Sequence, residues 1–330
     1  TPPVSVILPV RDGGDWLHAA VASVLAQTHR DFELIVVDDG STDGAPARLP
    51  ADARLVRVAN PGRGLVAALN HGMGLARGAC LARMDADDLC RPQRLARQLA
   101  LLAARPEIAV CGVQVELLHP GGAPPPGGAA YRDWLNALTG PDDIAREIYI
   151  ESPLPHPGWL LRREAWARVG PYRDGPWPED YDWLLRAHRA GLRFAKPADG
   201  VLLDWREHPG RLTRRDPRCA RAGLIAVKAP ALAAELRGRE VLLWGATKTG
   251  GRLHDALLAH GVAVRAFVDL DPRRCAGTKR GLPVLTPTTA AAHREAAILV
   301  TVSQGAKKPA IRAQLAALGR SEGADWWFAT

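Results

Sequence analysis

Three carboxylates stand within four positions at Asp85, Asp87 and Asp88, in the stretch LARMDADDLCRP that covers residues 81–92. Carboxylates that close repel one another unless a positive charge joins them, and a divalent cation with oxygen ligands is a natural occupant. The same cluster also suits a solvated turn that caps the helix opening at Pro92. An EF-hand loop does not fit, because its sixth and twelfth positions need Gly and Glu where Cys90 and Ala96 stand. A second acidic group, DDGSTDG at 38–44, is good turn and helix-cap chemistry in its own right. A third, Glu179, Asp180 and Asp182 in PEDYDWLLR, has the acids that a helix N-terminus favours. A basic segment, DWREHPGRLTRR at 204–215, offers Arg206, His208, Arg211 and Thr213 to an anion.

These residues need elements to position them. VSVILPV at 4–10, FELIVVDD at 32–39, ARLVRVA at 53–59 and ACLARMD at 79–85 read as strands, and IAVCGVQVELL at 108–118 as a fifth. Helical spacing runs through 15–28, 64–78 and 91–106, with Pro92 suited to a first turn and Pro106 to a stop. Strands alternating with helices predict a parallel α/β sheet, where ligands sit beyond the carboxyl ends of the strands. Strand one ends in Pro9, Val10, Arg11 and Asp12, strand two in Asp38 and Asp39, and strand four in Asp85 to Asp88. Two acidic clusters at one sheet edge are hard to explain as two unrelated caps. HPGGAPPPGGAA at 119–130 is too rich in Pro and Gly for regular structure and reads as a mobile loop.

Length and composition set the bounds. A chain of 330 residues exceeds what one core usually organises, so two domains are expected, with 47% hydrophobic and 24% charged residues as in ordinary globular proteins. No apolar run is long enough to span a bilayer and TPPVSVILPV does not have the form of a signal peptide, so the expected location is the cytoplasm, or the inner face of the membrane through peripheral contact. Five cysteines with no CxxC pair suit reduced thiols. The net charge of +8 favours anionic partners. Nucleic acid is not expected among them, because no recognition motif or aromatic and basic interleaving accompanies the charge.

VSVILPVRDGGDWLHAAVASVLAQTHRDFELIVVDDGSTD, then ARGACLARMDADD, then PEDYDWLLR, closely resemble the family 2 inverting glycosyltransferases of the GT-A fold, over about residues 3–215. The resemblance implies a nucleotide-diphospho-sugar donor, a UDP-sugar first among them, and a glycan or lipid-linked glycan acceptor in bacterial surface glycan assembly. It carries base recognition onto Asp39, ribose contact onto Asp85 and a Mn2+ or Mg2+ ligand onto Asp87. Pro9 and Arg11 would flank the base, with Arg63 also on the nucleotide side. This chain has Arg11 and Asp12 where the family usually has an aromatic residue and Asn. Arg206 and Arg211 would close over the diphosphate, with His208 on the metal or on a phosphate oxygen. Asp180 is implied as the base that takes the acceptor proton during direct, inverting displacement. His156, Trp159 and Glu179 stand on the implied acceptor side, where a packed core role competes for the first two.

A second α/β run begins near residue 239 with EVLLWGATKTGGRL and includes VDLDP, whose strand ends at Asp269. The expected division is therefore a GT-A domain at 1–215, a helical linker at 216–238 and a smaller Rossmann-like domain at 239–330. G-x-G-x-x-G is absent, and Thr247 stands where a dinucleotide fold needs its second Gly, so no NAD or NADP binding is expected. A sugar nucleotidyltransferase would share the sheet and acidic ligands but wants a basic, Gly-rich loop after strand one. A non-enzymatic nucleotide-binding regulator acting through the second run would not need Asp180.

Overall fold

The computed structural model describes residues 3–302 and 307–330; residues 1, 2 and 303–306, which belong to the expected first and last domains, lie outside the described residues. The chain forms two compact units. The first contains residues 1–145, 153–174 and 186–216, and the second 146–152, 175–185 and 217–330.

The first unit is built on seven strands. These are β1 (Val4–Val10), β2 (Phe32–Asp38), β3 (Leu55–Ala59), β4 (Cys80–Arg83), β6 (Ile108–Cys111), β8 (Leu160–Arg162) and β9 (Arg193–Ala195), in spatial order β3-β2-β1-β4-β8-β6-β9. All neighbours are parallel except β8, which runs against both β4 and β6. The central strands read as continuous apolar runs because both faces are covered: every residue of β1 is buried. Pro9 sits in this strand without losing a ladder bond. Successive peptides face opposite neighbours; Val10 O accepts from Asp39 N on the β2 side and Ile7 O from Met84 N on the β4 side. The Pro9 peptide therefore faces β4, beyond the last paired residues Ile7 and Arg83. From that level β1 and β4 part.

The stretch 108–118 forms two strands, not one. β6 ends at Cys111, and β7 (Gln114–Leu118) joins a separate three-stranded sheet with β5 (Leu89–Cys90) and β10 (Val201–Arg206) in the order β5-β10-β7. The break falls at Gly112, where a Cβ would lie 2.8 Å from Leu154 Cδ2. The expected mobile loop at 119–130 is likewise only partly a loop. His119 bridges to Gly122, and a helix spans Pro126–Ala137. Proline is compatible with the first helical turn, and Tyr131, Trp134 and buried Leu135 hold the helix on the core, outweighing the local cost of Gly127 and Gly128.

The second unit has its own six-stranded sheet. β11 (Val241–Trp244), β12 (Val264–Val268), β13 (Thr278–Lys279), β14 (Leu282–Leu285), β15 (Ala297–Val300) and β16 (Trp326–Phe328) lie in the order β13-β14-β12-β11-β15-β16. Apart from the β13 and β14 hairpin the sheet is parallel, and the order β14-β12-β11-β15-β16 is that of a doubly wound sheet. The segment 216–238 contains a helix, Arg221–Leu236, on which Ile225, Leu232 and Leu236 are buried. Lys228, on the same helix, donates to Ile150 O at 3.1 Å and Ala329 O at 2.8 Å.

Candidate active site

The carboxyl ends of β2, β1 and β4 are adjacent in the first unit, so the sheet order alone brings Asp39, Arg11 and Asp85 to one edge. Two loops there are clasped together. Asp12, at φ +51°, accepts from Thr42 N at 2.6 Å, Thr42 Oγ1 at 3.1 Å and Asp43 N at 3.3 Å. In return Asp43 Oδ2 accepts from Gly14 N and Ser41 Oγ from Asp12 N. The Thr42 hydrogen bonds, with a contribution from the Arg11 charge, hold the Asp12 carboxyl below the usual carboxylate range. Asp39 is fixed from the other side by Asn60 Nδ2 at 2.7 Å and by Gly64 N, whose φ of +86° favours glycine. Arg11 and Arg63 are exposed on neighbouring loops, and Pro9 is buried in β1.

The second sheet supplies the opposite wall of this edge. β5 follows directly after the aspartates and pairs antiparallel with β10, Leu203 with Cys90 and Asp204 with Leu89. Continuing that register sets Trp205 and Arg206 against Asp88 and Asp87. Arg206 N donates to Asp88 Oδ1 at 2.8 Å, Arg206 Nε to the Asp87 carbonyl at 2.8 Å, and His208 Nε2 to Asp87 Oδ2 at 2.8 Å. The ring of Trp16 lies 4.2 Å from that of His208, with the Arg206 guanidinium 5.6 Å away. Asp85 is taken by Arg83, at 2.5 Å.

Each aspartate of the cluster thus has a different partner, and one buried oxygen is left without any. Asp88 Oδ2 is buried with no hydrogen-bond partner among the described residues. Burial pushes the Asp88 carboxyl well above its ordinary range, and the charges of Asp85 and Asp87 push it further. Single ligand atoms from Asp85, Asp87 and Asp88 all lie within 4.8 Å of one another. An all-oxygen set with an orphaned buried oxygen fits a hard divalent cation, which would supply the missing positive charge.

Other expected site residues are placed differently. Arg211 is buried, bonded to Glu207, and its guanidinium lies 4.0 Å above the Trp205 ring, so it braces its own segment. Burial works against the Glu207 charge, but Arg214 and Arg211 hold its carboxyl below the ordinary value. Trp159 has no exposed surface and donates from Nε1 to Leu154 O, which makes it a core residue and not an open sugar platform. His156 is buried against it, with Nε2 2.8 Å from Tyr172 Oη. Burial, aided by the Arg83 charge, pushes the imidazole well below its usual pKa. Glu179 and Asp180 begin the helix Glu179–Arg189, and residues 175–185 group with the second compact unit. Asp180 Oδ1 accepts from Tyr181 N at 2.7 Å.

Arg83, Asn60 and Trp16 join this edge although the sequence motifs do not point to them, whereas Asp12 is legible as an acid that ends strand one. A usable signal for Arg83 is a basic residue at the end of a buried strand just before an acidic cluster.

Comparison with known proteins agrees with this geometry. Residues 5–170, about half of the chain, match the family described as "Glycosyl transferase family 2". A protein of Haemophilus influenzae named "Uncharacterized glycosyltransferase" is 27% identical over 219 residues, which are 63% of this chain and 66% of that protein. The succinoglycan biosynthesis protein ExoO of Rhizobium meliloti is 38% identical over 118 residues, 34% of each chain. The chain therefore spans only part of these relatives. The crystal structure of S. aureus TarS 1-349 in complex with UDP-GlcNAc shares the fold, with a TM-score of 0.55 at 17% identity over 78% of this chain and 72% of that one. With its mixed sheet, acidic strand ends and a further α/β unit after them, the chain belongs to glycosyl transferase family 2 and has the GT-A fold.

Proposed function

We propose that the chain is a metal-dependent, inverting glycosyltransferase that moves a sugar from a nucleotide-diphosphate donor, first of all a UDP-sugar, to an acceptor hydroxyl in bacterial glycan assembly. The observation that carries this reading is the edge where β1, β2 and β4 end, with Asp39 on one side and Asp87, Asp88 and His208 on the other. Family membership supports the reaction class, and the names of ExoO and of the TarS complex support a glycan product and a UDP-sugar donor.

In this reading Asp39, steadied by Asn60 and Gly64, accepts a hydrogen bond from the base. Pro9, Arg11 and Arg63 line the nucleotide side, Asp85 meets the ribose, and Arg206 faces the diphosphate. Asp87 and Asp88 would hold Mn2+ or Mg2+, with His208 turning from Asp87 to the ion or to a phosphate oxygen; Arg211 keeps the closing segment in shape. When bound, the ion stabilises negative charge on the leaving diphosphate. Asp180 takes the acceptor proton as the hydroxyl attacks from the face opposite the leaving group, and Glu179 serves the acceptor side. Product analysis with a panel of nucleotide sugars, with and without Mn2+, tests the whole reading. Release of UDP and an inverted glycosidic product from one donor are expected. Formation of a nucleotide sugar from a sugar phosphate would instead identify a nucleotidyltransferase.

A further inference from the structure

Three carboxylates share this edge, yet they are not equivalent. Asp87 is bonded by the imidazole of His208 and Asp88 by a backbone amide, neither of which is a permanent charge. Asp85 is paired with the guanidinium of Arg83, whose side chain is only 2% exposed. A guanidinium cannot lose its proton at any ordinary pH, so this positive charge is permanent.

Arg83 is also rigidly placed. Its Nη1 donates to the carbonyl of Met84 while Nη2 holds Asp85 Oδ1. Beneath it Arg94, fully buried, donates from Nη2 to the Arg83 carbonyl at 2.7 Å and to the Trp159 carbonyl at 3.2 Å. Gln98 accepts from Arg94 Nε at 3.1 Å and in turn donates to Cys111 O and Gly158 O, both at 2.8 Å. The backbone at the end of β4 is therefore locked from below, and the guanidinium itself is held by the Met84 carbonyl and Asp85.

We infer that Arg83 is a positioning residue that acts as the resident counter-charge of Asp85, withholding it from the metal and keeping cation affinity low until a nucleotide diphosphate arrives. Without Arg83, the Asp85, Asp87 and Asp88 oxygens would form a strongly anionic trap that binds a divalent ion whether or not donor is present. With it, the ion gains enough attraction only when diphosphate oxygens complete its shell. Metal and nucleotide then bind as a unit, and each strengthens the other by the same factor.

The inference rests on the reading of Asp87 and Asp88 as metal ligands, and calorimetric titration of the full chain with MnCl2, alone and with UDP, separates the two. Arg83→Met should bind Mn2+ without nucleotide about tenfold or more tightly than wild type, since it removes a full charge close to the ion. The factor by which UDP improves Mn2+ binding should shrink to match. Arg83→Lys, which keeps the charge, should stay near wild type; a role in packing alone would not be rescued this way. Arg83→Met together with Asp85→Asn removes both charges, avoids an uncompensated, half-buried carboxylate and should return nucleotide-free Mn2+ affinity to the wild-type range. If Arg83→Met, or the double variant where the single one fails to fold, departs from these values, the inference is overturned while the metal site stands. If wild type takes up no Mn2+ even with UDP, the metal reading falls and the inference with it.

Discussion

The two compact units present the same local strand order at their sheet centres, β3-β2-β1-β4 in the first and β14-β12-β11-β15 in the second, and they use it differently. In both, connections diverge at the central strand and open a crevice at the strand ends. In the first unit the groups lining it are incompletely satisfied: Asp88 Oδ2 is buried without a partner, and Asp87 rests on an imidazole. In the second unit the acid that follows β12, at the position Asp39 holds after β2, is bonded on every side and no unsatisfied acid accompanies it among the described residues. Asp269 accepts from Ala246 N at 2.9 Å, Asp271 N at 3.0 Å and Arg274 Nη1 at 2.9 Å. Thr301 Oγ1 donates within its own strand ends, to Trp244 O and Gly245 O. Gly250 is packed so closely that a Cβ would lie 2.3 Å from Gly245 O, so its glycine serves backbone packing. Topology creates the crevice, and unsatisfied polar groups make it a site.

The largest test of this contrast is whether chemistry also draws on residues 175–185. Asp180→Asn should retain UDP binding and lose transfer by roughly 10²- to 10⁴-fold, as for a missing general base. Near-normal kcat would remove Asp180 from the mechanism and leave the reaction to the first unit.

Asp87→Asn keeps shape and deletes charge. Turnover should fall by about 10²- to 10³-fold, the scale of one lost charge-stabilising group, and Mn2+ should no longer enhance UDP binding. Equal enhancement in wild type and variant, measured by calorimetry, would take Asp87 out of the metal site.

The second unit should respond in stability alone. Asp269→Ala orphans the Ala246 and Asp271 amides and the Arg274 guanidinium, so a loss of about 1–3 kcal/mol in urea unfolding is expected with turnover per folded molecule unchanged. The same contrast predicts no saturable NAD+ binding by the full chain up to about 1 mM, where binding is worth only about 4 kcal/mol. Stoichiometric NAD+ binding abolished by Gly250→Val would erase the distinction between a closed and an open crevice.

A pH-dependent contrast concerns two buried lysines, one in each unit. Burial pushes Lys196 down to about 7 and Lys228 down to about 8. The unfolded chain holds both protons up to about pH 10.4, so above each folded value it binds more protons than the native state. Stability therefore rises with pH, by up to ~1.4 kcal/mol per unit for each lysine, from about pH 7 in the first unit and about pH 8 in the second. Lys196→Met and Lys228→Met should each flatten its own window in denaturation curves taken between pH 7 and 10. An unchanged slope in both variants would show that neither amine is held neutral.

Sequence determined the parts of this protein that depend on neighbours along the chain. Apolar runs marked β1, β2 and β4, and the residues just after them, Arg11, Asp39 and Asp85 to Asp88, follow from reading where each run stops. The family motifs are local for the same reason, and the roles they imply for Asp87 and Asp180 are read without coordinates. Tertiary structure decided what depends on partners distant in sequence. Asp87 meets His208 across 121 residues only because β5 and β10 pair in one register, and Asp39 meets Asn60 because β3 lies beside β2. The backbone beneath the neighbouring pair Arg83 and Asp85 is likewise held by Arg94 and Gln98, which come from the following helix. It also turned Trp159 and Arg211 inward and left Asp269 fully bonded, since burial and hydrogen-bond satisfaction are sums over every element packed against a side chain.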